Sequence, residues 1–154
     1  MNKPRIRTIA AAIALVAAAG GTFAIAASPA DTIAARQANF KKMGGAMKVI
    51  KDELAGSADK AKMAGAAKTI AAMARAQVPL FPKGTGPGAG VKTDALPAIW
   101  TDRATFDGHA KKLIAEADKL VMVSGTGNAA AIGAQFKAVG GTCGACHKQF
   151  RADD

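Results

Sequence analysis

Residues 132–150 read Ile132-Gly-Ala-Gln-Phe136-Lys-Ala-Val139-Gly-Gly-Thr-Cys143-Gly-Ala-Cys146-His147-Lys-Gln-Phe150. Ile132, Phe136, Val139, Cys143, Cys146 and Phe150 recur in steps of three and four, the period of one helical face. The stretch predicts an amphipathic helix and puts both cysteines of the chain on the face that turns toward a core. His147 follows Cys146 directly. Two thiols and an imidazole at i, i+3 and i+4 converge on a single flat object.

C-x-x-C-H is the attachment signature of a c-type haem, in which each thiol adds across one porphyrin vinyl group and the imidazole becomes an axial iron ligand. Rival readings of the same residues are weaker. A thioredoxin-type dithiol opens a helix after a buried strand, and no alternating strand-like run precedes Cys143. Structural zinc takes about four ligands, and His109 is the only other histidine. A disulfide within one helical turn would be strained.

The rest of the chain supplies three more helices of the same kind. Ser28-Pro29-Ala30-Asp31 reads as a capped start, with Pro in the first turn. Ile33, Phe40, Met43, Met47, Ile50 and Leu54 then hold helical spacing up to Gly56. Ser57 is placed to cap a second helix carrying Met63, Ile70, Met73 and Ala74, which should end before Pro79. Residues 79–98, with Pro79, Pro82, Gly84, Gly86, Pro87, Gly88 and Gly90, read as a long connection without helix. A third helix begins between Pro97 and Asp102 and carries Phe106, Ala110, Leu113, Ile114, Ala117 and Leu120. A short turn at Ser124–Asn128 leads into the cysteine-bearing helix. The expectation is all-α: an antiparallel four-helix bundle with a long crossover between helices two and three. A haem should lie partly inside it, edge-on to solvent at one end.

The first 26 residues read differently. Lys3, Arg5 and Arg7 form a basic head, Ile9–Ala18 an apolar run, and Ala24-Ile25-Ala26 a small-residue cleavage site. That is the pattern of a secretory signal peptide cut near Ala26/Ala27, leaving residues 27–154 as one haem domain. Export fits the motif, because bacteria attach c-type haem outside the cytoplasmic membrane; the expected location is the periplasm. No later segment has some 18 uninterrupted apolar residues, so the processed chain should not be an integral membrane protein. Formal net charge is +10. Without the three basic leader residues it falls to about +7, scattered along the chain, which suits acidic redox partners and argues against nucleic acid.

With these residues in view the chain resembles the cytochrome c′ family, including its low-spin soluble relatives. The tail Cys143-Gly-Ala-Cys146-His147-Lys-Gln-Phe150-Arg151 has Phe where the family often has Tyr. Arg36-Gln37-Ala-Asn-Phe40 looks like its first-helix segment, Leu80-Phe81-Pro82 and the Gly-rich loop like its crossover, and Pro97-Ala-Ile-Trp100-Thr-Asp102 like its third-helix start. The resemblance implies one covalent haem c per chain, His147 as axial ligand, a homodimer, and NO or CO as small gaseous ligands. It also implies that Arg36 and Gln37 contact the haem propionates, that Arg151 shapes the pocket beside His147, and that Phe81 and Trp100 pack near the haem edge.

The sixth iron position is implied to face Phe40, four residues after Arg36. A phenyl ring cannot ligate iron, so the haem would be five-coordinate and open to small neutral ligands. O₂ would be held poorly, for the apolar pocket shows no hydrogen-bond donor. The alternative is a six-coordinate low-spin electron carrier with Met43, on the same stripe, as distal ligand. A third reading, a haem peroxidase, wants a distal acid/base that Phe40, Met43 and Met47 do not provide; the chain is therefore expected not to be an enzyme. His109, beside Lys111 and Lys112, reads as a surface residue.

Overall fold

The computed structural model describes residues 27–153; the signal-peptide reading of 1–26 lies outside the described residues. Four long helices form the molecule: α1 (Pro29–Ala55), α2 (Lys60–Gln77), α4 (Arg103–Ser124) and α5 (Ala129–Phe150). A single-turn helix, α3 (Ala98–Thr101), precedes α4. Neighbours α1 and α2, and α4 and α5, are joined by tight turns and so run antiparallel, while the long crossover lets α2 pack on α4. The all-α bundle with its crossover is as the periodicity requires.

Helix starts follow capping chemistry. The Ser28 hydroxyl accepts from the Asp31 N–H at 3.1 Å, and the Asn128 side chain accepts from Ala131 N–H at 3.0 Å. At α2 the expected cap is displaced. Asp59, not Ser57, accepts from the Lys62 N–H at 3.0 Å, and Ser57 donates instead to Glu53. The third helix also departs from its expected form. Asp102 sits at φ −119°, ψ 57°, breaking the chain between α3 and α4 while its carboxylate caps α4. The crossover is not wholly free of helix either, since Val78–Leu80 form one 3-10 turn.

Two apolar clusters divide the interior. Ile50, Met63, Ile70, Leu120, Ile132 and Val139 fill the middle of the bundle, with small Ala67, Ala71 and Ala74 letting α2 approach closely. Each such aliphatic side chain contributes about 1.5–3 kcal/mol by leaving water. Phe81, Ile99, Phe106 and Phe150 form a second cluster under the crossover. Phe106 meets Phe81 and Phe150 edge-on, with ring centroids 4.8 and 5.4 Å apart.

The crossover is tied down at several points. The Trp100 indole N–H donates to the carbonyls of Phe81 and Pro82, at 3.2 and 2.9 Å. Gly86 lies so close beneath that ring that a Cβ there would stand 2.8 Å from it. The tail after α5 is stitched to the same segment: Leu96 N–H donates to Phe150 O at 3.0 Å and Ala152 N–H to Asp94 O at 2.8 Å. These bonds fix the end of α5 against the crossover. Among the described residues no helix is long and apolar enough to cross a membrane.

Candidate haem site

One end of the bundle opens into a cavity of about 520 Å³, within the size range of cofactor pockets. One wall comes from α1 and α2 through Arg36, Gln37, Phe40, Met43, Ala74 and Gln77. Opposite, α5 presents Cys143, Cys146, His147 and Phe150, and Arg151 follows at the rim. Phe81 from the crossover and Phe106 from α4 close the sides. The helical spacing of the motif thus does what its periodicity implied, and both thiols and the imidazole face one space.

The state of these groups suits covalent attachment better than dithiol redox chemistry. Both cysteines are free and half-buried. Burial pushes the Cys143 thiol up, and burial with the adjacent Cys143 pushes Cys146 up to about 11. A redox dithiol wants a depressed pKa and a ready thiolate. Burial, and then the charge of Arg151, push the His147 imidazole down, so a neutral nitrogen lone pair is available. Among the described residues no three His, Cys, Asp or Glu side chains gather as a protein-held metal ion would need.

Phe40 stands across from His147. Their ring centroids are 6.4 Å apart at 73°, and Phe40 also meets Phe81 edge-on at 6.5 Å. Phe40 is 39% exposed, which corrects its place among core residues. The buried seam of α1 runs through Ile33, Arg36, Asn39, Met43, Ala46 and Ile50, leaving Phe40 on its edge where the cavity opens. Met43 is buried and lines the cavity from the seam itself.

Arg36 is 2% exposed, so it is no solvated helix face. Its guanidinium donates to Leu80 O, Thr85 O, the Thr85 hydroxyl and the Thr93 hydroxyl, at 2.9–3.3 Å, and stacks 4.5 Å from the Phe81 ring centroid. Every one of these oxygens is neutral, so a buried positive charge borders the cavity without a carboxylate on it among the described residues. Gln37 donates to Lys92 O at 3.0 Å. Arg151 joins the backbone bridge to Ala95 and is not a frayed end.

Four residues fall elsewhere than expected, or went unread. Trp100 does not line the cavity; it packs on Phe81 and anchors the crossover, because its N–H finds carbonyls there. His109 is not a plain surface residue. It lines the cavity and meets Phe150 edge-on at 5.8 Å. Its spacing from Phe106 and Leu113, three and four residues away, carried that signal, masked by Lys111 and Lys112. The buried pair Asn39–Gln77 went unread because two polar side chains on different helices give no periodic sign.

The family model described as Cytochrome C' matches residues 31–151. The chain belongs to the cytochrome c′ family. Cytochrome c′ of Rhodospirillum rubrum is 40% identical over 145 residues, covering 91% of this chain and 95% of that protein. A solved cytochrome c′ with a ligand-controlled dimer dissociation is 33% identical, with a TM-score of 0.80, over 84% of this chain and all of its own. The nitric oxide complex of a point mutant of cytochrome c prime from Alcaligenes xylosoxidans is 25% identical, with a TM-score of 0.76 and the same coverage. Cytochrome c′ proteins carry covalently bound haem c, and this chain is a haem c protein with its attachment motif at the cavity wall. The residues fit that group: an apolar slot, two protonated thiols on one wall, a neutral imidazole beside them, and a buried cation for an acidic edge.

Proposed function

We propose that the chain is an exported, periplasmic cytochrome in which His147 ligates the iron and Phe40 covers the sixth position, so that the protein binds NO or CO and passes single electrons. The observation that carries this reading is the Phe40 ring standing opposite the His147 imidazole at 6.4 Å, on the facing wall. Haem supplies an iron that takes a small diatomic and changes oxidation state. The chain's own residues set what reaches it. Phe40 excludes water and bulky ligands, Cys143 and Cys146 hold the macrocycle, and Arg36 offers positive charge to its propionates, with Gln37 at the rim. The nitric oxide complex of the Alcaligenes relative supports the ligand class.

Met43 is the second reading, a thioether closing the iron in a low-spin carrier, since it too lines the cavity. Against it, Met43 is only 5% exposed and packs within the central cluster, so reaching the iron would cost those contacts. Peroxidase chemistry wants a base facing the sixth position, and the α1 wall holds no histidine or carboxylate; His109, which also lines the cavity, belongs to α4. The homodimer is supported by the relative whose dimer dissociates under ligand control. Export rests on the composition of residues 1–26.

Substituting Phe40→Ala tests the reading. Stopped-flow mixing of the ferrous protein with CO should show association faster by about tenfold or more, the barrier falling by roughly 1.4 kcal/mol. An unchanged rate transfers the sixth position to Met43.

A further inference from the structure

A single short side chain pins α1 to α2. Asn39 and Gln77 are both buried. Asn39 Nδ2 donates to the Met73 carbonyl at 2.9 Å, and the same nitrogen donates to Gln77 Oε1. A carbonyl can only accept, so the amide of Asn39 cannot be turned around. Met73 and Gln77 stand one turn apart on α2, so the two acceptors bracket Asn39 along the helix axis. Asparagine is too short to follow a sliding helix. The long Arg36 side chain, one turn earlier, holds the crossover instead, through bonds that its flexible stem can keep over small shifts.

Asn39 is not among the described residues that line the cavity, whereas Phe40 and Met43 both are. Met43 follows Asn39 by one turn on the buried seam and belongs to the central cluster with Met63 and Ile70, while Phe40 lies at the edge. Phe40 and Met43 are separated by about 60° around the helix and about 4.5 Å along it. Placing Met43 where Phe40 stands requires α1 to turn and slide by that much, which breaks both Asn39 bonds and leaves buried polar atoms unpaired. The next residues, Gly44 and Gly45, weaken the helix there, and a Cβ at either would meet nothing within 4 Å. We propose that the Asn39–Gln77 clasp locks the register of α1, making Asn39 a positioning residue that keeps Phe40, and not Met43, before the sixth iron position. This inference rests on the Phe40 reading given above.

The test is the absorption spectrum of the ferrous, haem-loaded protein, with the rate of CO association beside it. Asn39→Leu/Gln77→Leu removes the clasp at similar volume and gives up no other side-chain bond, since Gln77 Nε2 is sealed from solvent without a partner among the described residues. This variant should gain the sharp α and β bands of a low-spin fraction and take up CO more slowly by about tenfold or more, because Met43 has to leave first. Adding Met43→Leu should abolish both changes. Gln77→Leu alone, which keeps the Asn39 bond to Met73, should give a smaller low-spin fraction, and it decides the matter if the double variant does not fold. A high-spin wild type with unchanged spectra and CO rates in the folded variants overturns the lock alone. New low-spin bands that persist in the Met43→Leu background overturn it as well. Sharp α and β bands in the wild type overturn the Phe40 reading and this inference with it.

Discussion

Arg36 carries a full positive charge into a site that is 2% exposed and surrounds it with neutral oxygens. Such a charge persists because guanidinium does not deprotonate in proteins, even where burial pulls its pKa down. Its bonds to Leu80, Thr85 and Thr93 hold the crossover over the cavity, a structural duty besides any attraction for haem propionates. Replacing Arg36 with Gln should destabilise the protein by about 3 kcal/mol, read as a lower urea midpoint at unchanged slope. Retention of the wild-type midpoint would show that the crossover is held by Trp100 and the tail alone. Phe40 and Gln77 line the same wall.

The turn between α1 and α2 is organised around one carboxylate. Glu53 accepts from the Ser57 hydroxyl at 2.5 Å, the Asp59 N–H at 3.1 Å and Lys62 Nζ at 2.9 Å. The Ser57 bond first, then Lys62 and the Asp59 N–H, bring its pKa down from 4.5 to about 2. A carboxyl depressed in the folded state binds fewer protons there than when unfolded. Its contribution is therefore complete above pH 4.5 and is lost as pH falls toward 2. Glu53→Gln should lower thermal stability at pH 7 and flatten its decline between pH 4.5 and 2. Parallel pH curves for variant and wild type would assign acid sensitivity to other groups. At the far end, α5 is secured by the backbone bonds of Leu96 and Ala152, which keep Cys146 and His147 beside the crossover.

The whole molecule is a bundle whose cavity end draws on α1, α2, the crossover, α4 and α5, and that decides what could be read in advance. The helices and the motif were legible because burial imposes a period of three and four on residues such as Ile132, Val139, Cys143 and Cys146. The Phe40 edge position, the turn of His109 into the cavity and the Asn39–Gln77 pair were not, because each depends on which helix lies opposite. The Trp100 anchor was not legible either, since its N–H finds loop carbonyls that no local pattern announces. Intact-mass measurement of exported protein should give one species starting at Ala27 and heavier by one haem, which Cys143→Ala/Cys146→Ala should lose. A mass including residues 1–26 would contradict processing. The most direct test is the absorption spectrum of the ferrous protein before and after CO. A broad Soret band without sharp α and β bands, sharpening and shifting on CO, is the predicted result. Sharp α and β bands before CO that disappear in Met43→Leu would contradict it.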